Sequence, residues 1–590
     1  MLSFLPLARS ARSVSYAPAL VGLGRWLRRV VVLGVVALWL LPVRWAYWPR
    51  LDAVPFFWQR IAPVRDAFYR LEDPTRRLLD GYAVPDTLPV LRLTLPDTAT
   101  VRWLGQLDSI RVRGVNAAAG RRWVGATLAA GTEAKSEGVT RVGAEVAWHG
   151  KFRRHWSGRQ RSLKVRLGGG AAWWGLREFT LLTPDNRDGP GLLLVAKLAR
   201  AAGIWHPRER VVRVEVNGDD WGLYYAEEPI DAAFLAARGQ AGGALLAPRA
   251  TWADDFPDHR RTPAYGQGVG FNRTAHVHAL ALEPAFQAVE APSDSLAAVA
   301  RGQWARLRDL VEAAEADPAR LLDSAAVAAV FDIPAWGAAD ALRHLLADRH
   351  NLAGDNLHVA FDPRTGRFRP IYRYEGGLAQ AEQSRGLTNA LTLSYNGGDL
   401  PLWRFVNRCP ALRLAKLRAL HRLTATPAAI EAALREVEPA SALLTLAPGA
   451  QNPIRQRRWL TEILTSNLRQ NRALIHRSLT ADAWLYATAR VAGGRLHLEL
   501  LPETEGALVL TGGRTGAAGG QTLSLPQPLI LLAGVALLAP DGPVALVPVR
   551  DTLSLPWPAA LGYPEEVRLD VHTLSGESLP AGRVRLEMKR

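Results

Sequence analysis

Cysteine is almost absent from this chain. One residue, Cys409, stands in 590, which excludes an intramolecular disulfide and any zinc cage built from thiolates. Lysine is scarce as well: of 72 cationic side chains only Lys135, Lys151, Lys164, Lys197, Lys416 and Lys589 are lysine, and the rest are arginine. Against 55 acids this leaves a net charge of +17. Yet no run of five or six basic residues occurs, and none is interleaved with aromatics, so no nucleic-acid partner is expected. Also missing are a Walker phosphate loop, a G-x-S-x-G elbow and a histidine pair at zinc spacing. Gly266-Gln-Gly268-Val-Gly270 follows no strand pattern and reads as loop.

Long apolar runs are rare, and the first lies near the N-terminus. Residues 30–43 (VVVLGVVALWLLPV) carry no charge and are followed by Trp45, Tyr47 and Trp48, an interfacial aromatic belt. Arg9, Arg12, Arg25, Arg28 and Arg29 precede the run, and Arg44, Arg50 and Arg60 follow it. That bias places the N-terminus in the cytoplasm. No small-x-small cleavage site follows the run, so residues 1–49 read as an uncleaved membrane helix rather than a signal peptide. The expected location is the inner membrane, single-pass, with the bulk of the chain periplasmic or extracellular. A second run, Leu529–Pro540, is too short to span and reads as core among strands.

What remains is ordinary globular composition, 48% hydrophobic and 22% charged, in a chain too long for a single core. Residues 50–85 read as a linker. From 86 to about 180 the pattern alternates with period two (LRLTL, IRVRGV, AEVAWHG, LKVRL), which predicts strands. Val212, Val214 and Val216 lead into Asn217-Gly218, a hairpin signal, and Pro229 opens a helix that Gly239 closes. Residues 244–275 read as a long surface loop and 295–350 as helices. A strand pair at 356–374 turns at Asp362-Pro363-Arg364-Thr365-Gly366, and helices fill 402–480, the last from about 455 to 479. Residues 484–590 read as a separate C-terminal β-sandwich. The class is α+β.

Two segments could carry chemistry. In the strand Ser162–Leu167, Lys164 points away from the apolar face made by Leu163, Val165 and Leu167. Further on, Asp348 closes a helix, Asn356 follows eight residues later, and a strand pair delivers Tyr374-Glu375-Gly376. An aspartate base, then an asparagine, then an acid before glycine is the order of parts in a kinase phosphoryl-transfer site. The same residues have a plainer reading, because Asp340, His344 and Asp348 also recur at the spacing of a solvated helix face.

At these residues the chain resembles the spore-coat protein H (CotH) kinase-like family. The segments AEVAWHGKFRRHWSGRQRSLKVRL, TPDNRDGPGLLLVAKLARAAGI, VRVEVNGDDWGLYYAEEPIDAAFL and DRHNLAGDNLHVAFDPRTGRFRPIYRYEGG follow its motifs in order, over roughly 86–480. The hairpin N-G-x-x-x-G-L-Y with its following glutamate is the most specific. The resemblance implies an atypical protein-kinase-like two-lobed domain, with a β-rich N-lobe and a helical C-lobe, phosphorylating protein Ser or Thr with ATP and Mg²⁺. By position, Lys164 would contact the nucleotide phosphates, Glu227 or Glu228 would pair with that lysine, Asp348 would be the base, and Asn356 and Glu375 would bind the metal. The chain departs from the family at the metal site. Where the family has W-D-x-D, this sequence has Tyr372-Arg373-Tyr374-Glu375, which sets a cation where the first aspartate belongs. The alternative is a catalytically inactive envelope protein that binds surface polymers or proteins.

Overall fold

A computed structural model describes residues 73–589, with breaks of which the longest are 249–285, 349–356, 377–400 and 558–565. Residues Tyr69–Arg590 form one compact unit, and residues 1–72 lie outside the described residues. These include the expected anchor at 1–49 and most of the linker. Among the described residues no helix is long and apolar enough to cross a membrane.

The alternating segment closes on itself. Strands β1 (Pro89–Thr94), β2 (Val124–Thr132), β3 (Lys135–Trp148), β4 (Leu163–Leu167), β5 (Glu178–Leu182), β6 (Glu209–Val216) and β7 (Asp219–Glu227) form a closed barrel ordered β1-β2-β3-β4-β5-β7-β6. Closure comes from β1 lying parallel to β6, with Val90 opposite Arg213. Inward residues such as Val146, Leu163, Val165, Phe179, Leu181, Val214 and Tyr224 fill the interior. Helix α1 (Asp97–Arg113) corrects the expectation of a strand at IRVRGV. Ala99, Trp103, Leu107 and Ile110 recur at helical spacing and join the barrel core, so burial overrides the local alternation.

Outer-face residues Leu182, Leu223 and Tyr225 pack with a helical core. It draws on α2 (Gly191–Ala201), and α3 (Ala232–Ala236) then starts at Asp231, whose side chain caps Phe234 N. Strand β8 (Ala244–Pro248) is a second correction: residues read as surface loop are buried in a sheet ordered β11-β10-β8-β9, with β9 at Phe286–Glu290, β10 at His358–Asp362 and β11 at Arg367–Ile371. The Ala-Leu-Leu-Ala stretch is apolar throughout and suits a central strand, despite the glycines before it. The turn between β10 and β11 falls where the Asp362–Gly366 signal predicts.

Helices α4 (Asp294–Ala316), α5 (Ser324–Val330), α6 (Ile333–Leu345), α7 (Pro401–Arg408), α8 (Pro410–Thr424), α9 (Ala428–Leu446) and α10 (Ile454–Thr480) complete this part. A Cβ built on Gly337 of α6 would come within 2.5 Å of Ala415 Cβ in α8, so only glycine permits that crossing. Beyond α10, β12 (Trp484–Ala492), β13 (Arg495–Glu503), β14 (Ala507–Thr515), β15 (Thr522–Leu532), β16 (Val535–Ala539), β17 (Gly542–Val547), β18 (Asp551–Pro556), β19 (Val567–Thr573) and β20 (Val584–Met588) form the C-terminal sheets. The orders β18-β13-β12-β20 and β15-β14-β19 share one core, around Leu485, Leu498, Leu510 and Val571, with β16–β17 as a hairpin.

Candidate functional site

Pairing across β4, β5, β7 and β6 sets Lys164, Thr180, Glu227 and Glu209 in one row on the outer face of the barrel. Lys164 and Glu227 are two strands apart, about 10 Å by ordinary strand spacing. They do not pair. Lys164 Nζ instead reaches Glu178 Oε1 on the neighbouring strand at 3.4 Å, half-exposed. Glu228, just past β7, is buried and accepts from Arg208 N at 2.9 Å, Arg208 Nε at 3.1 Å and Arg238 at 3.0 Å. It ties the start of β6 to the residues after α3.

The hairpin motif has a physical reason at its second glycine. Gly222 adopts φ +86 beside a bulge in the β6–β7 pairing, and a Cβ there would stand 2.4 Å from Pro448 O. Only glycine suits both the left-handed backbone and the close approach.

Asp348 is delivered by the end of α6. Ala347 turns left-handed (φ 49), its N–H bonds to His344 O at 3.0 Å, and Asp348 N–H bonds to Arg343 O at 2.9 Å. This is a Schellman cap with alanine where glycine is usual. Asp340, His344 and Asp348 are all fully buried, which overturns the solvated-face reading. Asp340 is held between Arg343 and Lys416, the latter at 2.9 Å. Burial, partly offset by Asp340, pushes the Lys416 pKa down to about 8.

The segment leaving β11 binds three acids in succession. Tyr372 Oη donates to Asp348 Oδ2 at 2.5 Å. Arg373 donates to Glu227 Oε2 through Nε at 3.0 Å and through a terminal nitrogen at 2.5 Å. Tyr374 Oη donates to Asp188 Oδ2 at 2.5 Å. Burial and the Asp348 carboxylate together raise the Tyr372 pKa well above its ordinary value. Asp188 sits in the buried turn Thr183–Gly191, at φ 53, and Tyr225 Oη bonds to Gly189 O there at 2.6 Å. Three consecutive side chains thus engage the helix-end aspartate, the barrel-strand glutamate and the turn aspartate.

The sequence motifs assign no role to Asp188, Tyr372 or Tyr374. Their only signal is a polar D-N-R-D-G-P-G turn between apolar runs, and tyrosines either side of an arginine. Asn356 and Glu375, the expected metal ligands, lie outside the described residues. Among the described residues no group of three or more His, Cys, Asp or Glu could hold a metal. One acid oxygen in the cluster, Glu227 Oε1, is buried without a hydrogen-bond partner. A lone oxygen beside a guanidinium does not suit magnesium, which takes six oxygens in near-octahedral array.

Residues 146–335 match the family model described as CotH kinase protein. Over that span the chain is similar to the CotH kinase family, as its motifs suggested. The matched span includes Lys164, Asp188, Glu227 and Glu228 and ends before Asp348, Asn356 and Glu375. No curated protein matches the chain.

Proposed function

We propose that this is a CotH-domain protein of the cell envelope in which the acids of the phosphotransfer site serve structure, and which binds a surface polymer or protein. One observation carries this reading: Tyr372, Arg373 and Tyr374 engage Asp348, Glu227 and Asp188, so the segment that would hold metal in a kinase instead closes the site with three donors. The run at 30–43 would anchor the chain in the inner membrane and leave its bulk outside the cytoplasm, where ATP is scarce. Deleting residues 1–49 should then move the protein from the membrane to the soluble fraction.

A second reading keeps phosphotransfer: a two-lobed, kinase-like domain phosphorylating protein Ser or Thr with ATP and Mg²⁺, Asp348 as base, Lys164 on the phosphates. The family match over the Lys164 strand favours it, as does the shared row of Lys164 and Glu227. Thermal unfolding with ATP, with and without Mg²⁺, separates the two. The first reading expects no magnesium-dependent shift and no transfer from labelled ATP to a Ser-rich peptide. A magnesium-dependent shift, with transfer lost about 10²–10⁴-fold in Asp348→Asn, establishes the second.

A further inference from the structure

A groove of about 490 Å³ opens where the β6–β7 turn meets the first half of α1, at the opposite end of β7 from Glu227. Its lining includes Trp103, Leu104, Arg161, Asn217, Asp219 and Trp221. Three indoles lie nearly parallel there. Trp103 and Trp148 stack with centroids 4.1 Å apart and 4° between planes, and Trp221 lies 5.8 Å from Trp103 at 9°. Trp103 and Trp148 are buried, whereas Trp221 is half-exposed at the groove.

The groove also holds polar groups whose bonding is incomplete. Arg161 stands over the Trp148 and Trp221 rings, its Cζ 5.8 Å from each centroid. Among the described residues no carboxylate pairs with it, and its Nε is buried without a hydrogen-bond partner. Trp103 Nε1 is likewise buried and without a partner. Buried donors left so are uncommon, because each carries the cost of lost hydration. Of the acids nearby, Asp108 acts on Arg161 through space but is exposed and already paired with Arg111 at 3.1 Å, so it offsets the arginine only in part. Asp220 is occupied, accepting from Gly222 N at 2.8 Å and from Arg213 at 3.1 Å. Asp219 is exposed at the rim.

The walls are held in place before any ligand arrives. Asn217, at φ 50, accepts from Leu95 N at 2.7 Å and donates to Thr100 Oγ1 at 3.1 Å, which ties the turn to the start of α1. Gln160 donates to Trp221 O at 2.9 Å, and Tyr224 Oη accepts from Arg161 N at 3.0 Å. An aromatic face, a cation without an ion-pair partner among the described residues and a rim carboxylate make a set that suits an acidic sugar. Sugar C–H faces stack on indole, an acidic substituent answers arginine, and hydroxyls meet Asp219 at the rim.

We propose that this groove binds a saccharide carrying a carboxylate or phosphate, stacked on Trp221 with its acidic group on Arg161. The site adds to the binding reading above but stands on other residues, so it holds whether or not phosphate is transferred.

Tryptophan fluorescence and calorimetric titrations of the full-length protein test it, with trigalacturonate, glucose 6-phosphate, maltotriose, inorganic phosphate and UMP as probes. At least one acidic sugar should bind about tenfold or more tighter than maltotriose, and which one does so identifies the acidic group. Arg161→Gln should bring that sugar to the level of maltotriose. Leu104→Glu, at an exposed position on the rim where folding is unaffected, should weaken it about tenfold or more by repulsion. The proposal is overturned if no sugar binds, if maltotriose binds as well as the acidic sugars, if inorganic phosphate alone matches them, if UMP binds more tightly, or if both variants keep wild-type affinity.

Discussion

Replacing Arg373 by methionine keeps much of the side chain's length and apolar volume while removing its charge. Its partner cannot adapt. The Glu227 side chain is 3% exposed, one of its oxygens already lacks a partner, and the other receives both donated bonds from Arg373. Removing one member of a buried pair costs about 3–5 kcal/mol, because the remaining charge is left uncompensated. At 18% exposure Arg373 keeps some contact with water, which places the expected loss near the lower end, about 3 kcal/mol. The reverse substitution is milder. Glu227→Gln leaves an arginine that reaches solvent and can still donate to the glutamine amide oxygen, for about 1–2 kcal/mol. The double variant should be less destabilised than Arg373→Met alone, because no buried charge remains. Equilibrium urea unfolding followed by the fluorescence of the chain's 20 tryptophans measures all three. A loss under about 1 kcal/mol in Arg373→Met, or strict additivity in the double variant, would refute the claim that this pair closes the site.

Three further outcomes follow from the same structure. Tyr224, Tyr225 and Tyr372 are fully buried with pKa values raised, chiefly by burial, while unfolded tyrosine titrates near 10. The fold therefore retains protons that the unfolded chain gives up; this stability is complete below pH 10 and is lost as pH rises beyond it, by about 1.4 kcal/mol per pH unit per tyrosine. Urea midpoints measured from pH 9 to 11.5 should fall steeply above 10, and Tyr372→Phe should flatten that slope by about one third, while costing about 1.5–3 kcal/mol at pH 7 through the bond lost to Asp348. Ala347→Gly should raise stability by about 0.5–1 kcal/mol in thermal unfolding, since φ 49 strains alanine and not glycine. Gly337→Ala should lower it by about 2 kcal/mol despite alanine's better helix propensity, because its methyl group would press on Ala415.

Local features were legible in the residues themselves. Asn217-Gly218, the Asp362–Gly366 turn, the long final helix α10 and the alternating C-terminal strands each depend on neighbours a few positions away, where backbone preference and periodicity act directly. The family resemblance was legible for a similar reason, since its most specific motif lies in one hairpin whose glycine is required on the spot. Other local signals misled. IRVRGV alternates like a strand, yet Trp103, Leu107 and Ile110 bury together only when that segment is helical and meets the barrel. Tertiary structure decided the rest through distant pairings. The barrel closes because β1 finds β6, Arg373 meets Glu227 from 146 residues away, and Tyr374 meets Asp188 from 186. No period or spacing encodes which acid receives which donor. That choice is made when a buried carboxylate, unable to keep its water, takes the nearest donor the packed core supplies.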